Sequence, residues 1–142
     1  MAVSWDKKFE TGNQQIDYQH QRLFDLINQV SEVCESGECD RDALNRVLDG
    51  LQEYTVTHFY QEEILMEERL YPDLEAHRAQ HTAFTDKIVE MRKIINGTSV
   101  KEENMKNVLN LREFLTTWLS AHILKVDHEY VPYLKKDQRE HG

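Results

Sequence analysis

The sequence predicts an all-α protein, built as an antiparallel up-down-up-down bundle of four helices. Charged residues make up 30% of the 142-residue chain, which has only 5 glycines and 2 prolines, and this composition is typical of helical proteins. Apolar residues recur at steps of three and four in four segments, the spacing that places them on one face of a helix. Short connections separate the segments, and they make consecutive helices antiparallel.

The first two helices are predicted over residues 16–36 and 40–66. Between them, Gly37 suits a helix end and Asp40 suits the N-cap of the second helix. We call the residues on the predicted inward face of each helix its stripe. The first stripe consists of Ile16, His20, Leu23, Ile27, Val30 and Cys34. The second consists of Leu44, Val47, Leu51, Tyr54 or Thr55, His58, Glu62 and Leu65.

The third and fourth helices are predicted over residues 72–95 and 103–127. Pro72 suits the first turn of a helix and disfavours helix at the residue before it, and residues 96–99 read Asn-Gly-Thr-Ser, a turn signal. The third stripe consists of Leu74, His77, His81, Phe84, Ile88, Met91 and Ile95. The fourth consists of Val108, Leu111, Leu115, Trp118 and His122.

We interpret the chain as one domain, with an N-terminal arm over 1–15 and a C-terminal tail over 128–142. A formal net charge of −9 argues against nucleic acid or an anionic membrane as a partner, because both need cationic patches. No apolar run is long enough to span a bilayer, and the N-terminus lacks the apolar stretch of a signal peptide. A cytoplasmic location is therefore the default expectation.

Two cysteines flank Ser36-Gly37: Cys34 at the end of the first stripe and Cys39 in the predicted connection to the second helix. The segment has no further cysteine or nearby histidine, which argues against a metal site there. A disulfide across the turn and two reduced thiols both remain open. The reduced form is the preferred interpretation for a cytoplasmic protein.

Six polar residues lie on stripes that should be apolar. Burying a polar group without a partner costs several kcal/mol, and antiparallel stacking carries all six to the same end of the bundle. A metal centre explains this convergence, because it supplies a partner for every imidazole at once. The six residues are His20, His58, Glu62, His77, His81 and His122.

Asp127 stands five residues after His122. In a regular α-helix that offset is about 140°, which would turn the carboxylate away from the core. A π-type turn between the two residues would return both to one face, and such turns are frequent at functional sites. We therefore predict a π-bulge or a loosened helix end over residues 122–127.

These residues give the chain a resemblance to the hemerythrin family, and in particular to single-domain bacterial hemerythrins. The resemblance rests on His20 after Ile16-Asp17-Tyr18-Gln19, and on the spacings His58-x3-Glu62, His77-x3-His81 and His122-x4-Asp127. It extends to flanking positions over nearly the whole chain. These are Trp5, Gly12, Tyr71-Pro72, Trp118-Leu119 and Tyr130.

The resemblance implies an oxygen carrier with two iron ions (Fe2+/Fe3+) joined by an oxo or hydroxo bridge. His77, His81 and His122 would bind one iron, and His20 and His58 the other, which keeps an open position. Glu62 and Asp127 would bridge the two. O2 would be held as peroxide on the five-coordinate iron, for transport, storage or delivery. Ligand chemistry agrees, because imidazoles suit iron better than they suit calcium or magnesium.

An O2 pocket must exclude water. Leu124 resembles the pocket leucine of the family, near the open iron position, and its expected neighbours are Phe59, Phe84 and Trp118. By contrast, Glu63, Glu67 and Glu68 are interpreted as a solvated helix face. His128 is interpreted as a surface histidine and His141 as part of the tail.

Two other functions remain open. The first is a di-iron oxidase or peroxidase, against which the ligand set argues, so that the chain is not expected to be an enzyme. The second is an oxygen or redox sensing module. Such modules are usually fused to an output domain, for which about ten residues after Tyr130 leave no room. The expected partner is O2, and an O2-consuming partner protein stays unidentified.

Overall fold

The computed structural model describes residues 4–33, 40–127, 129 and 132. A 3-10 turn over Lys7–Phe9 precedes four helices. These are α1 (Gln14–Glu32), α2 (Arg41–Glu68), α3 (Leu74–Gly97) and α4 (Lys101–Ala121), and a π-helical turn over His122–Asp127 follows α4. No strand occurs among the described residues. The predicted all-α class is confirmed, and the predicted π-type turn is present.

The helices form a closed ring of four, in which α1 packs against α2 and α4, and α3 packs against the same two helices. Their directions alternate. Arg41 at the start of α2 donates a hydrogen bond of 3.2 Å to the carbonyl of Asn96 at the end of α3. Gln80 near the start of α3 contacts His122 just beyond α4. The antiparallel bundle is confirmed.

Polar side chains cap the N-termini of the first two helices. The Asn13 carboxamide oxygen accepts the Ile16 N–H at 3.0 Å, and Asp40 accepts the N–H groups of Asp42 and Ala43. Each such cap satisfies backbone donors that have no partner within their own helix. The predicted N-cap role of Asp40 is confirmed, while the predicted helix end at Gly37 lies outside the described residues.

At two positions on α2, the buried residue is the one that follows the predicted residue of the stripe. Leu48 is fully buried where Val47 was expected, and Met66 is buried where Leu65 was expected. A straight helix drifts relative to alternating steps of three and four, so a long stripe moves to a neighbouring position. The third helix also begins at Leu74, later than the predicted residue 72. A left-handed turn that ends α2 separates it from α3.

That turn has the hydrogen bonds of a Schellman motif. The Tyr71 N–H donates to the Met66 carbonyl at 2.9 Å, and the Leu70 N–H donates to the Glu67 carbonyl at 3.2 Å. Tyr71 and Met66 are both buried and pack together with Ile16, the apolar contact that accompanies this motif. Leu70 has a φ of 55° and is 85% exposed. The backbone of Leu70 therefore adopts a conformation that favours glycine.

The substitution Leu70→Gly should raise the free energy of unfolding by roughly 0.5–1 kcal/mol, because the left-handed conformation costs an L-residue about 1–2 kcal/mol and part of this is offset by the greater freedom of glycine in the unfolded chain. Urea unfolding followed by circular dichroism measures the change. Leu70→Ala is the matched control, since it removes the same exposed side chain but keeps Cβ. Equal stability of the two variants would contradict the backbone explanation.

Candidate metal centre

All six polar residues on the predicted stripes are buried, and they lie in one layer at the end of the bundle where α1 and α3 begin and α2 and α4 end. Their exposed fractions are 0% for His20, 1% for His58, 1% for Glu62, 1% for His77, 3% for His81 and 4% for His122. They come from α1, α2, α3 and the π-helical turn that follows α4. The antiparallel order of the helices is what brings these distant sequence positions together.

The side chains form two groups of potential ligand atoms, and Glu62 belongs to both. In each group the ligand atoms lie within 4.8 Å of one another. The first group consists of Glu62, His77, His81 and His122, and the second of His20, His58 and Glu62. One Glu62 oxygen, Oε1, lies 3.1 Å from His58 Nε2 and 3.6 Å from His81 Nε2. Glu62 is therefore placed between two sets of imidazoles.

Three imidazoles have an oxygen atom held against Nδ1, the ring nitrogen that faces out of the cluster. The oxygen belongs to the Gln19 side chain at His58. At His81 it belongs to Glu63, and at His122 to Gln80, each at 3.2 Å. Such an oxygen accepts the Nδ1–H and leaves the Nε2 lone pair for a metal, the arrangement usual for metal-binding histidines.

The interpretation of Glu63 as part of a solvated face was wrong. Its side chain is 17% exposed and also contacts Arg78 Nε at 2.8 Å. Apolar periodicity could not identify Glu63, because a residue that reaches a neighbouring helix lies beside the stripe of its own helix. A signal did exist in the sequence. Like Gln19 and Gln80, Glu63 is adjacent to a candidate ligand.

The geometry and the ligand types both fit metal ions. The Nε2 atoms of His81 and His122 lie 3.2 Å apart. With both Nδ1 atoms protonated, the two Nε2 atoms would turn lone pairs toward each other, and a cation between them relieves that repulsion. Imidazoles combined with a carboxylate suit iron, zinc and related transition metals, whereas calcium and magnesium prefer oxygen ligands.

Aromatic rings cover one side of the candidate centre. Phe59 stacks on His81 with centroids 3.7 Å apart, and Trp118 stacks on His122 at 4.4 Å. Phe84 lies against Trp118 at 4.0 Å. Phe59 and Trp118 therefore lie directly against imidazoles, and Phe84 lies behind them against both aromatic rings; their role in an O2 pocket stays a prediction. Phe59 and Phe84 are buried, so this face of His81 is apolar, whereas Trp118 and His122 line a pocket at the surface.

The structure does not support the predicted pocket role of Leu124, which is 39% exposed. Two apolar residues close to His122 in the sequence are buried instead, Leu119 at 2% and Ile123 at 0%. Leu119 precedes His122 by three residues and shares its face of α4. Leu124 follows His122 by two residues, an offset that points it to the opposite side of the turn.

Several predicted features fall on residues outside the described ones. The backbone of Asp127 lies in the π-helical turn, whereas its side chain is not described. The pairing of Cys34 and Cys39 remains a prediction, as do the interpretations of His128 and His141. Among the described residues, no helix is long and apolar enough to cross a membrane.

The chain is similar to a known family of cation-binding domains. The family described as "Hemerythrin HHE cation binding domain" matches residues 11–134. A bacteriohemerythrin of Stenotrophomonas maltophilia is 33% identical over 92% of this chain and 80% of its own. A bacteriohemerythrin of Clostridium acetobutylicum is 29% identical over 89% of this chain and 97% of its own. A wild-type hemerythrin crystal structure superposes with a TM-score of 0.77 and 30% identity, covering 94% of this chain and 98% of the other.

Metal binding at this layer can be tested with Co2+, whose absorption spectrum reports its ligands. The metal-free chain should bind two ions, and Glu62→Gln should weaken both, because Glu62 belongs to both groups of ligands. Glu67→Gln is the matched control, since Glu67 is exposed on the same helix. Unchanged titration of the Glu62 variant would contradict a shared carboxylate.

Proposed function

We propose that this chain, which belongs to the hemerythrin family, holds two iron ions in the buried histidine layer and uses them to bind and release O2. The observation that carries the proposal is the position of Glu62, a buried carboxylate shared between two groups of imidazoles. A shared carboxylate suits two adjacent ions of the same kind. The family itself supports a non-haem di-iron centre for O2.

The proposed assignment follows the two groups. His77, His81 and His122 would hold one iron, and His20 and His58 would hold the other. Glu62 would contact both, and the distances of its Oε1 to His58 and His81 support that role. Asp127 is proposed as the second shared carboxylate, from the family resemblance and from the π-helical turn that contains its backbone.

The unequal division of histidines leaves fewer protein ligands at the ion held by His20 and His58, and this is where O2 would gain access. When bound, the iron pair supplies the electrons that reversible O2 binding requires, and a bridging oxo or hydroxo group would complete the centre. Apolar residues around the centre would limit the access of water. Phe59 covers His81 on one face, while the buried Leu119 and Ile123 flank His122 along the chain.

Reversible binding can be observed by reducing the iron-loaded chain without air and then admitting O2. We expect a visible charge-transfer band that appears with O2 and disappears when O2 is removed under argon, over repeated cycles. The iron-free chain is the control. A single irreversible change to a diferric spectrum, with no such band, would instead indicate an oxidase or a redox sensor.

The water-excluding role of Leu119 predicts a specific change in autoxidation. Leu119→Ser should speed autoxidation several-fold, because a hydroxyl beside the imidazoles gives an incoming water a hydrogen-bond partner that an apolar cavity lacks. Leu124→Ser is the matched control and should leave the rate unchanged, since Leu124 is already exposed. The rates are compared at a temperature where circular dichroism shows all three proteins folded. Equal rates in the two variants would refute the assignment.

A further inference from the structure

The three outer partners of the imidazoles are not chemically equal. Gln19 and Gln80 offer neutral amide oxygens to His58 and His122. The partner of His81 is Glu63, whose Oε2 lies 3.2 Å from Nδ1. Hydrogen bonds to an ionised acceptor are roughly twice as strong as neutral ones. His81 is thus held differently from the two other imidazoles whose Nδ1 partners are known.

Glu63 is itself fixed in place. Its other oxygen, Oε1, accepts a hydrogen bond of 2.8 Å from Arg78 Nε, and this contact raises the pKa of Arg78 above its ordinary value. Arg78 also contacts Glu75 at 2.6 Å, but Glu75 is 82% exposed. The guanidinium on α3 therefore orients the Glu63 carboxylate of α2 toward the imidazole one turn further along α3.

The His81 ring is constrained on its face as well as at its edge. Phe59 stacks on it with an interplanar angle of 2°, so the ring plane is set by packing. Packing alone does not distinguish the two ends of the ring, since a rotation of the imidazole by half a turn preserves the stack. The contact with Glu63 makes that distinction, because a carboxylate accepts a proton from Nδ1 and repels a lone pair there.

We infer that Glu63 is a positioning residue of the metal centre: it fixes the His81 tautomer that presents Nε2 to the metal and makes that nitrogen a stronger donor. The inference rests on the proposed function, in which His81 is a ligand. A carboxylate that accepts the outer N–H of an imidazole raises its basicity toward a metal. Glu63 then raises the affinity for the ion held by His77, His81 and His122.

Zn2+ affinity, measured by competition with a chromophoric chelator, tests the strength of that ion. Glu63→Gln keeps a neutral acceptor like those at His58 and His122, and should lower the affinity for the Zn2+ ion bound with His81 by about tenfold. Glu63→Ala removes the acceptor and should lower that affinity by up to about 100-fold. Glu75→Gln is the matched control, because it removes the other carboxylate from Arg78 without touching His81. Affinities equal to that of the unchanged chain in both Glu63 variants would overturn the inference.

A second measurement separates positioning from general loss of structure. In the Zn2+-loaded chain, nuclear magnetic resonance should detect an exchange-protected Nδ1 proton on His81. Glu63→Ala should expose that proton to exchange, while the Nδ1 protons of His58 and His122 stay protected. Loss of protection at all three rings, or at none, would contradict a local role.

These outcomes are distinguishable from failure of the proposed function. If the Zn2+ affinities follow the predicted order but the iron-loaded chain shows no reversible O2 band, Glu63 still positions His81 and the carrier function is wrong. If O2 binds reversibly and the Glu63 variants keep full affinity and proton protection, the carrier function stands and the role of Glu63 is refuted.

Discussion

The burial of five imidazoles and a carboxylate inside a four-helix bundle is the constraint on which the rest of this structure depends. Each buried polar group without a partner would cost several kcal/mol, so one end of the core contributes little to stability unless these groups are satisfied. The remaining core must supply the apolar burial, and it does so with residues that are fully or almost fully enclosed. Among them are Leu48, Ile95, Leu111 and Leu115.

Contacts between neighbouring helices satisfy part of this requirement and at the same time couple the helices. Each outer partner is adjacent in sequence to a ligand candidate of its own helix, yet it contacts a ligand candidate contributed by the next element. The three contacts run from Gln19 to His58, from Glu63 to His81 and from Gln80 to His122. A helix that moved along its axis would displace its own ligand and release the ligand of its neighbour. The packing of the helices and the positions of the candidate ligands therefore depend on each other.

Periodicity predicted the helices and the buried layer because both depend on which face of a helix a residue occupies. His20, His58 and His77 could be placed in this way without knowledge of their neighbours. Glu63 could not, since its role depends on the distance to another helix, which a stripe does not encode. The pocket role of Leu124 was taken from the family resemblance and stays a prediction, but its side chain is 39% exposed. The direction of a side chain just after His122 depends on the local winding of the backbone, which a stripe does not encode either.

That winding also explains why the proposed second carboxylate stands five residues after His122. A π-helical turn hydrogen-bonds residues five apart and would bring His122 and Asp127 toward one side of the helix, whereas an α-helix would separate them by about 140°. The turn is a less common conformation than continued α-helix, and it persists where the surrounding structure favours it. The arm over Lys7–Phe9 packs against this turn, and Ile123 within it is fully buried. Packing of the arm and of Ile123 thus stabilises the π-helical backbone at this position.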